Sequence, residues 1–160
     1  MSDRIAVFSQ GKVLQLGPPK DLYERPANRF VADFIGTNNL IEGTVRSIDT
    51  GRRQLRVNTT LGELSALLDE RLREGDRCIL CIRPENAAFG GEAAGGHNLV
   101  HGRIAFAAYL GNAVRYDVEL AAGVIFKVDI RDPWHHEELP MGSVVSLNFP
   151  ASSTVAIPAE

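Results

Sequence analysis

The sequence predicts a mainly β protein: a small β-barrel preceded by a β-hairpin and two short helices. Three observations carry this. From Leu40 onward the apolar residues recur with period two rather than 3.6, as strands with one buried face require. Gly, Pro or Asp interrupts the chain roughly every ten residues, the spacing of many short strands in a barrel or a sandwich. Hydrophobic residues make up 44% of the 160, enough for one core of ordinary size plus an appendage. A barrel is favoured over a sandwich because closure removes sheet edges that would template aggregation.

Taken in order, Ile5 to Phe8 and Lys12 to Leu16 are apolar, partly β-branched runs around Ser9-Gln10-Gly11. They read as a hairpin with a three-residue loop in which Gly11 takes positive φ. Lys20 to Arg25 forms a turn or two of helix, started by Pro19 and stopped before Pro26. A second short helix follows, capped by Asn28, striped by Phe30, Val31 and Phe34, and ended by Gly36.

Leu40 to Ile48 and Gln54 to Thr59 are strands around the turn Asp49-Thr50-Gly51. Gly62 to Ala66 is a third, and Leu67 to Leu72 is expected to be a helical turn. Arg77 to Ile82 is apolar on both faces, so it belongs in the middle of its sheet, and Pro84 ends it for want of an N–H. Val100 to Leu110 is a long strand. Val114, Tyr116, Val118 and Leu120 alternate with Arg115, Asp117 and Glu119, and Val124, Phe126, Val128 and Ile130 alternate with Lys127 and Asp129: a hairpin with one wet and one buried face. Val144 to Phe149 and Thr154 to Ile157 complete the strands.

The first 39 residues resemble a known family. The run SDRI, a strand, then G-K-V-L-Q-L-G-x-P, L-Y-x-x-P and F-V-A-x-F-I-G-x-x-N is similar to the end of the nucleotide-binding domain of ATP-binding-cassette (ABC) importer subunits, with its outgoing linker. Ile82-Arg83-Pro84-Glu85 resembles the R-P-E motif of the carboxy-terminal OB-like barrel of such subunits, the TOBE domain. The resemblance implies that residues 1–39 are the tail of the nucleotide-binding domain and residues 40–160 the TOBE barrel. It implies an accessory, regulatory role without catalysis in this stretch. Tyr109-Leu110-Gly111-Asn112 and the acidic wet faces look most like the polyamine (spermidine/putrescine) branch, with ferric-iron, sulfate, sugar and phosphonate branches as rivals. Partners implied are a second copy of the subunit, membrane permeases reached through the ATPase domain, and a small-molecule regulator, all on the cytoplasmic face of the membrane.

The chemistry of ATP is absent from these residues. A cassette ATPase holds phosphates in a G-x-x-x-x-G-K-[ST] loop and Mg²⁺ at an acidic strand end, and neither occurs here. In the family the γ-phosphate-sensing histidine lies just before the S-D-R-I run. ATP and Mg²⁺ therefore belong to the full-length subunit, and no cofactor is expected here. The glycine-rich run Gly90 to Gly96 has no Lys after it and reads as a loop.

Two other constellations need weighing. Cys78-x-x-Cys81 followed by His97-x-x-x-His101 has the spacing of a zinc site. On a strand, however, residues three apart face opposite ways, so buried core thiols are the expectation and no metal. His135-His136, between Trp134 and Glu137-Glu138, reads as a solvated loop. Arg83 and Glu85 flank Pro84, so both reach one side: either they form a salt bridge locking the strand end, or they touch a partner domain. No catalytic constellation can be assembled.

Composition narrows the class further. No run approaches 18 apolar residues, and Asp3 and Arg4 stand where a secretion signal would be apolar, so a soluble, non-secreted chain is expected. Two cysteines suit a reducing compartment. A net charge of −3 with scattered Lys and Arg argues against nucleic acid as a partner. The alternative, a free-standing OB-type module for oligonucleotides or another small ligand, needs a basic, aromatic groove, and only 7% of residues are aromatic. Finally, with no sheet of its own to join, the apolar face of Ile5, Val7, Val13 and Leu14 is expected to be unpartnered, leaving residues 1–39 poorly ordered or docked on a second copy.

Overall fold

The computed structural model describes residues 4–90, 95–136 and 138–159, with Phe34 described by its backbone alone. The middle of the glycine-rich run and Glu137 lie outside the described residues. The chain opens with the hairpin of β1 (Ile5–Ser9) and β2 (Lys12–Gly17), then α1 (Pro19–Glu24) and α2 (Arg29–Phe34). Ser9 pairs with Lys12, so the loop is two residues rather than three, with Gln10 and Gly11 both at positive φ. Asn28 caps α2 by accepting the Val31 N–H, and Gly36 at φ 73° lets the chain leave it.

Ten strands follow: β3 (Asn39–Asp49), β4 (Gln54–Thr59), β5 (Gly62–Leu67), β6 (Arg77–Ile82), β7 (Ala88–Phe89), β8 (His97–Tyr109), β9 (Val114–Glu119), β10 (Ile125–Ile130), β11 (Val144–Pro150) and β12 (Val155–Pro158). Closure is real, but it belongs to five of them. They form a barrel in the order β12-β5-β4-β3-β6, while β10-β9-β8-β11-β7 make an open sheet inserted between β6 and β12. Period-two patterning identifies strands without saying which sheet each one joins. The inner face of the open sheet, with Val100, Ile104, Tyr116, Val118, Phe126 and Phe149, shares one core with barrel residues such as Val45, Leu55, Val57 and Leu80.

β3 spans the barrel by pairing with β6 through its first half and β4 through its second. Gly43 sits at the changeover, where a Cβ would lie 2.5 Å from Val57 Cγ1 and 2.7 Å from the Asn58 carbonyl. The expected helical turn at Leu67 to Leu72 is not formed. Leu67 ends β5, and a turn at Asp69 closes through the Leu72 N–H to the Asp69 carbonyl, because the Asp69 carboxylate takes the Arg71 N–H and guanidinium instead.

β6 is apolar on both faces for a definite reason. Cys78, Leu80 and Ile82 point into the barrel, while Ile79 and Cys81 point outward and are covered by Ala32 of α2 together with Ile157. The hairpin is likewise not without partners. Val7 packs with Leu22 and Val31, and Ile5, Leu14 and Ile35 close around them, so its inner face is covered by the chain's own helices. Only the opposite side stays open, with Phe8, Val13 and Leu16 each more than half exposed.

Candidate functional site

The R-P-E residues lie where the linker meets the barrel. Arg83 leaves the end of β6 in extended conformation, and Pro84 starts a single 3-10 turn over Pro84–Asn86. The Arg83 side chain, only 5% exposed, runs under the linker. Its Nη2 and Nε donate to the Tyr23 carbonyl at 2.7 and 3.2 Å, and its Nη1 donates to the carbonyls of Ile35 (2.7 Å) and Thr37 (2.9 Å). One planar fork thus satisfies carbonyls left over at the ends of α1 and α2, which a point-charge ammonium could not do at once.

The same guanidinium stacks on the Tyr23 ring, 3.9 Å from its centroid. Glu85 accepts a hydrogen bond from the Tyr23 hydroxyl and forms an ion pair with Arg131 at 3.4 Å. Arg83 and Glu85 therefore do not pair with each other, as one reading of the sequence expected. Each grips a different part of Tyr23, because the turn begun by Pro84 lets one side chain reach its ring face and carbonyl and the other its hydroxyl. Burial, then the Glu85 bond, pushes the Tyr23 phenol up to about 12. Burial also lowers the Arg83 pKa, the nearby Tyr23 and Glu85 working against it.

A second set of contacts ties the linker to the open sheet, and here the sequence offered no signal. Asn39 is buried at the start of β3, and its amide acts as a short strand: Oδ1 accepts the Lys127 N–H (2.7 Å) and Nδ2 donates to the Lys127 carbonyl (2.8 Å). Arg115, paired with Asp129 at 2.7 Å, also donates to Thr37 Oγ1 at 3.3 Å. Tyr23 was legible only as a member of the L-Y-x-x-P run.

The cysteines and histidines do not converge. Cys78 lies inside the barrel and Cys81 outside it under α2, as strand parity dictates, and burial pushes their thiols up to about 11 and about 12. His97 Nδ1 bonds Asn148 Oδ1 at 3.2 Å, and His101 Nδ1 pairs with Ser146 Oγ at 2.9 Å, both along β8 and β11. His136 is more than loop filler. Its Nε2 meets the buried Tyr116 hydroxyl at 2.8 Å, and that hydroxyl also accepts the Leu139 N–H at 3.1 Å, which fastens the loop to the sheet. Trp134 and His135 remain exposed.

Residues 80–157 match the TOBE domain family. The chain carries a TOBE domain. Its curated relatives are import ATP-binding subunits, whose carboxy-terminal part it matches. They include the spermidine/putrescine import ATP-binding protein PotA of Pseudomonas aeruginosa UCBPP-PA14, 42% identical over 125 residues, covering 77% of this chain and 34% of the relative. PotA of Methylococcus capsulatus is 36% identical over 160 residues, covering 99% and 41%. The Fe(3+) ions import ATP-binding protein FbpC of Brucella abortus strain 2308 is 35% identical over 149 residues, covering 93% and 39%. The chain thus spans between about a third and two fifths of the length of these relatives. Among solved structures, the cytoplasmic molybdate-binding protein ModG superposes with a TM-score of 0.67 at 16% identity, covering 75% of this TOBE-bearing chain and 96% of ModG, which shows a shared fold. No described helix is long and apolar enough to cross a membrane.

Proposed function

We propose that this chain is the accessory, regulatory carboxy-terminal part of an import ATP-binding subunit serving polyamines such as spermidine and putrescine, and that it performs no catalysis of its own. The observation that carries the reading is the junction. Arg83 binds the last carbonyls of both linker helices, so the barrel's orientation follows the segment that resembles the end of a nucleotide-binding domain. ATP and Mg²⁺ would be held by the remainder of such a subunit, and permeases would be contacted there too, at the cytoplasmic face of the membrane. Relatives named for spermidine/putrescine and for Fe(3+) both match, with somewhat higher identity to the former, which favours the polyamine assignment. Regulation by a small molecule fits a fold shared with a molybdate-binding protein.

A second copy is the proposed partner, and one face of the open sheet supports this. Across β10, β9, β8 and β11 one register row reads Ile125, Glu119, Arg103, Val144, all exposed. Arg103 and Glu119 have no ion pair among the described residues. Turned about a two-fold axis parallel to the strands, the row sets Glu119 against Arg103 and Ile125 against Val144, an isologous contact.

Uptake of labelled putrescine and ferric citrate by cells lacking the gene for this chain tests the assignment. Loss of putrescine uptake alone, restored by the intact gene, is expected; loss of iron uptake alone refutes the polyamine reading.

A further inference from the structure

Between the linker and the barrel rim runs a cleft of about 710 Å³, walled by Arg25, Arg53 and Arg71 and floored by Leu67, Val155 and Ala156. A second pocket of about 370 Å³ shares Arg25, Leu67 and Val155 with it, so the two form one groove. We propose that this groove binds a small organic anion through its phosphate or carboxylate groups. The inference rests on the groove alone and stands whichever solute the importer carries.

Three segments far apart in sequence each contribute an arginine to its lining: the end of α1, the β3–β4 turn and the β5–β6 loop. Arg25 and Arg53 make no ion pair and no side-chain hydrogen bond among the described residues, so both forks are available to an oxyanion. Arg71 is fixed by Asp69 and by donating to the Ala27 carbonyl at 2.8 Å, which joins linker to barrel across the cleft. Asp69 is engaged in turn: burial alone would raise its pKa, but the bonds from Arg71 hold it below the ordinary value. With Glu70 also on the wall, the cleft keeps one net positive charge, whereas Glu24 and Glu85 outweigh Arg83 in the adjoining pocket, so the anionic groups belong in the cleft.

Arg53 takes φ 57° as the left-handed residue of the β3–β4 turn, its carbonyl accepting the Leu68 N–H at 2.9 Å. One further feature points to a ligand. In the adjoining pocket the Asn38 side chain has both its amide nitrogen and its oxygen buried without a partner, a donor and an acceptor left unused. The apolar floor suits a carbon skeleton rather than a bare ion, and the volume is that of a small-molecule site.

Calorimetry of the whole 160-residue chain with phenyl phosphate and with citrate tests this and separates phosphate from carboxylate chemistry, with putrescine as the cationic control. Saturable one-site binding of either anion, with a Kd below about 1 mM, is expected. The double variant Arg25→Gln/Arg53→Gln should weaken it by at least about tenfold. Arg53→Gly is the second variant: it removes the charge and accepts positive φ, so it should lose binding while melting no lower than the parent. Absence of binding by both anions, undiminished binding in both variants, or equal binding of putrescine overturns the proposal.

Discussion

Replacing Arg83 by Met removes a guanidinium that bonds carbonyls at the ends of both linker helices. Its fork makes four bonds to three carbonyls, those of Tyr23, Ile35 and Thr37. Each carbonyl left buried without a donor costs about 1–3 kcal/mol, and the cation's own desolvation, which Met avoids, returns part of that. The net loss should be about 3–5 kcal/mol, a large share of the roughly 5–15 kcal/mol that holds a domain folded. Arg83→Lys keeps the charge but cannot span three carbonyls, so it should recover less than half. Tyr23→Phe deletes only the bond to Glu85 and should cost about 1 kcal/mol. Urea unfolding of the three variants gives these numbers, and hydrogen exchange at the Ala32 and Ile35 amides shows whether the linker loosens first. If Arg83→Met lies within about 0.5 kcal/mol of the parent, the range expected of an ordinary surface change, the junction is not held as described.

Titration of Tyr23 gives a second check. Its folded pKa, about 12, is raised above the ordinary 10.0, so the stability it contributes is whole below about pH 10 and is lost as pH rises towards 12. Melting temperatures between pH 9 and 12 should fall, and fall less in Tyr23→Phe. Cys78 and Cys81, with thiols raised to about 11 and about 12, should react with a chromogenic disulfide only on unfolding; a full equivalent of zinc after dialysis would contradict their placement on opposite faces of β6. The chain should neither bind ATP at micromolar affinity nor hydrolyse it above a boiled control, and calorimetry with a phosphate-release assay decides both. Arg103→Glu should abolish self-association in light scattering, and adding Glu119→Arg should restore it; a parent that is monomeric at high concentration rules out the two-fold row.

The strands were legible because alternation survives wherever one sheet face is wet, as in β9 and β10. The partition into barrel and open sheet was not, since Val57 and Val118 carry the same pattern whichever sheet they join. The tract from Leu67 to Leu72 read as helical because its leucines recur at helical spacing. The Asp69 side chain, competing for the backbone N–H of Arg71, decided otherwise. The hairpin's cover was missed because the stripe that includes Val31 does not say what it packs on, and Leu22 sits in a helix too short to announce a face by period. Of the junction, Arg83 and Glu85 were visible as a motif; their common partner Tyr23, 60 and 62 positions away, and the strand-like amide of Asn39 become apparent only in three dimensions.

The physical unit is larger than the segment that the family match picks out. Residues 80–157 include the first three residues of β12 and the last three of β6 among the barrel strands, while β3, β4 and β5 lie outside the match. The barrel closes only when β12 returns after the whole open sheet has been built. β12 pairs with β6 over four residues but meets β5 at one, Val155 opposite Leu67, reinforced by the Leu67 N–H to the Thr154 carbonyl at 2.9 Å. That closing seam is also the floor of the groove, and the linker forms the groove's other wall. An anion bridging Arg25 and Arg53 would therefore fasten linker to barrel directly above the barrel's thinnest joint, and whatever it contributes in binding free energy is added to the closed, docked form alone.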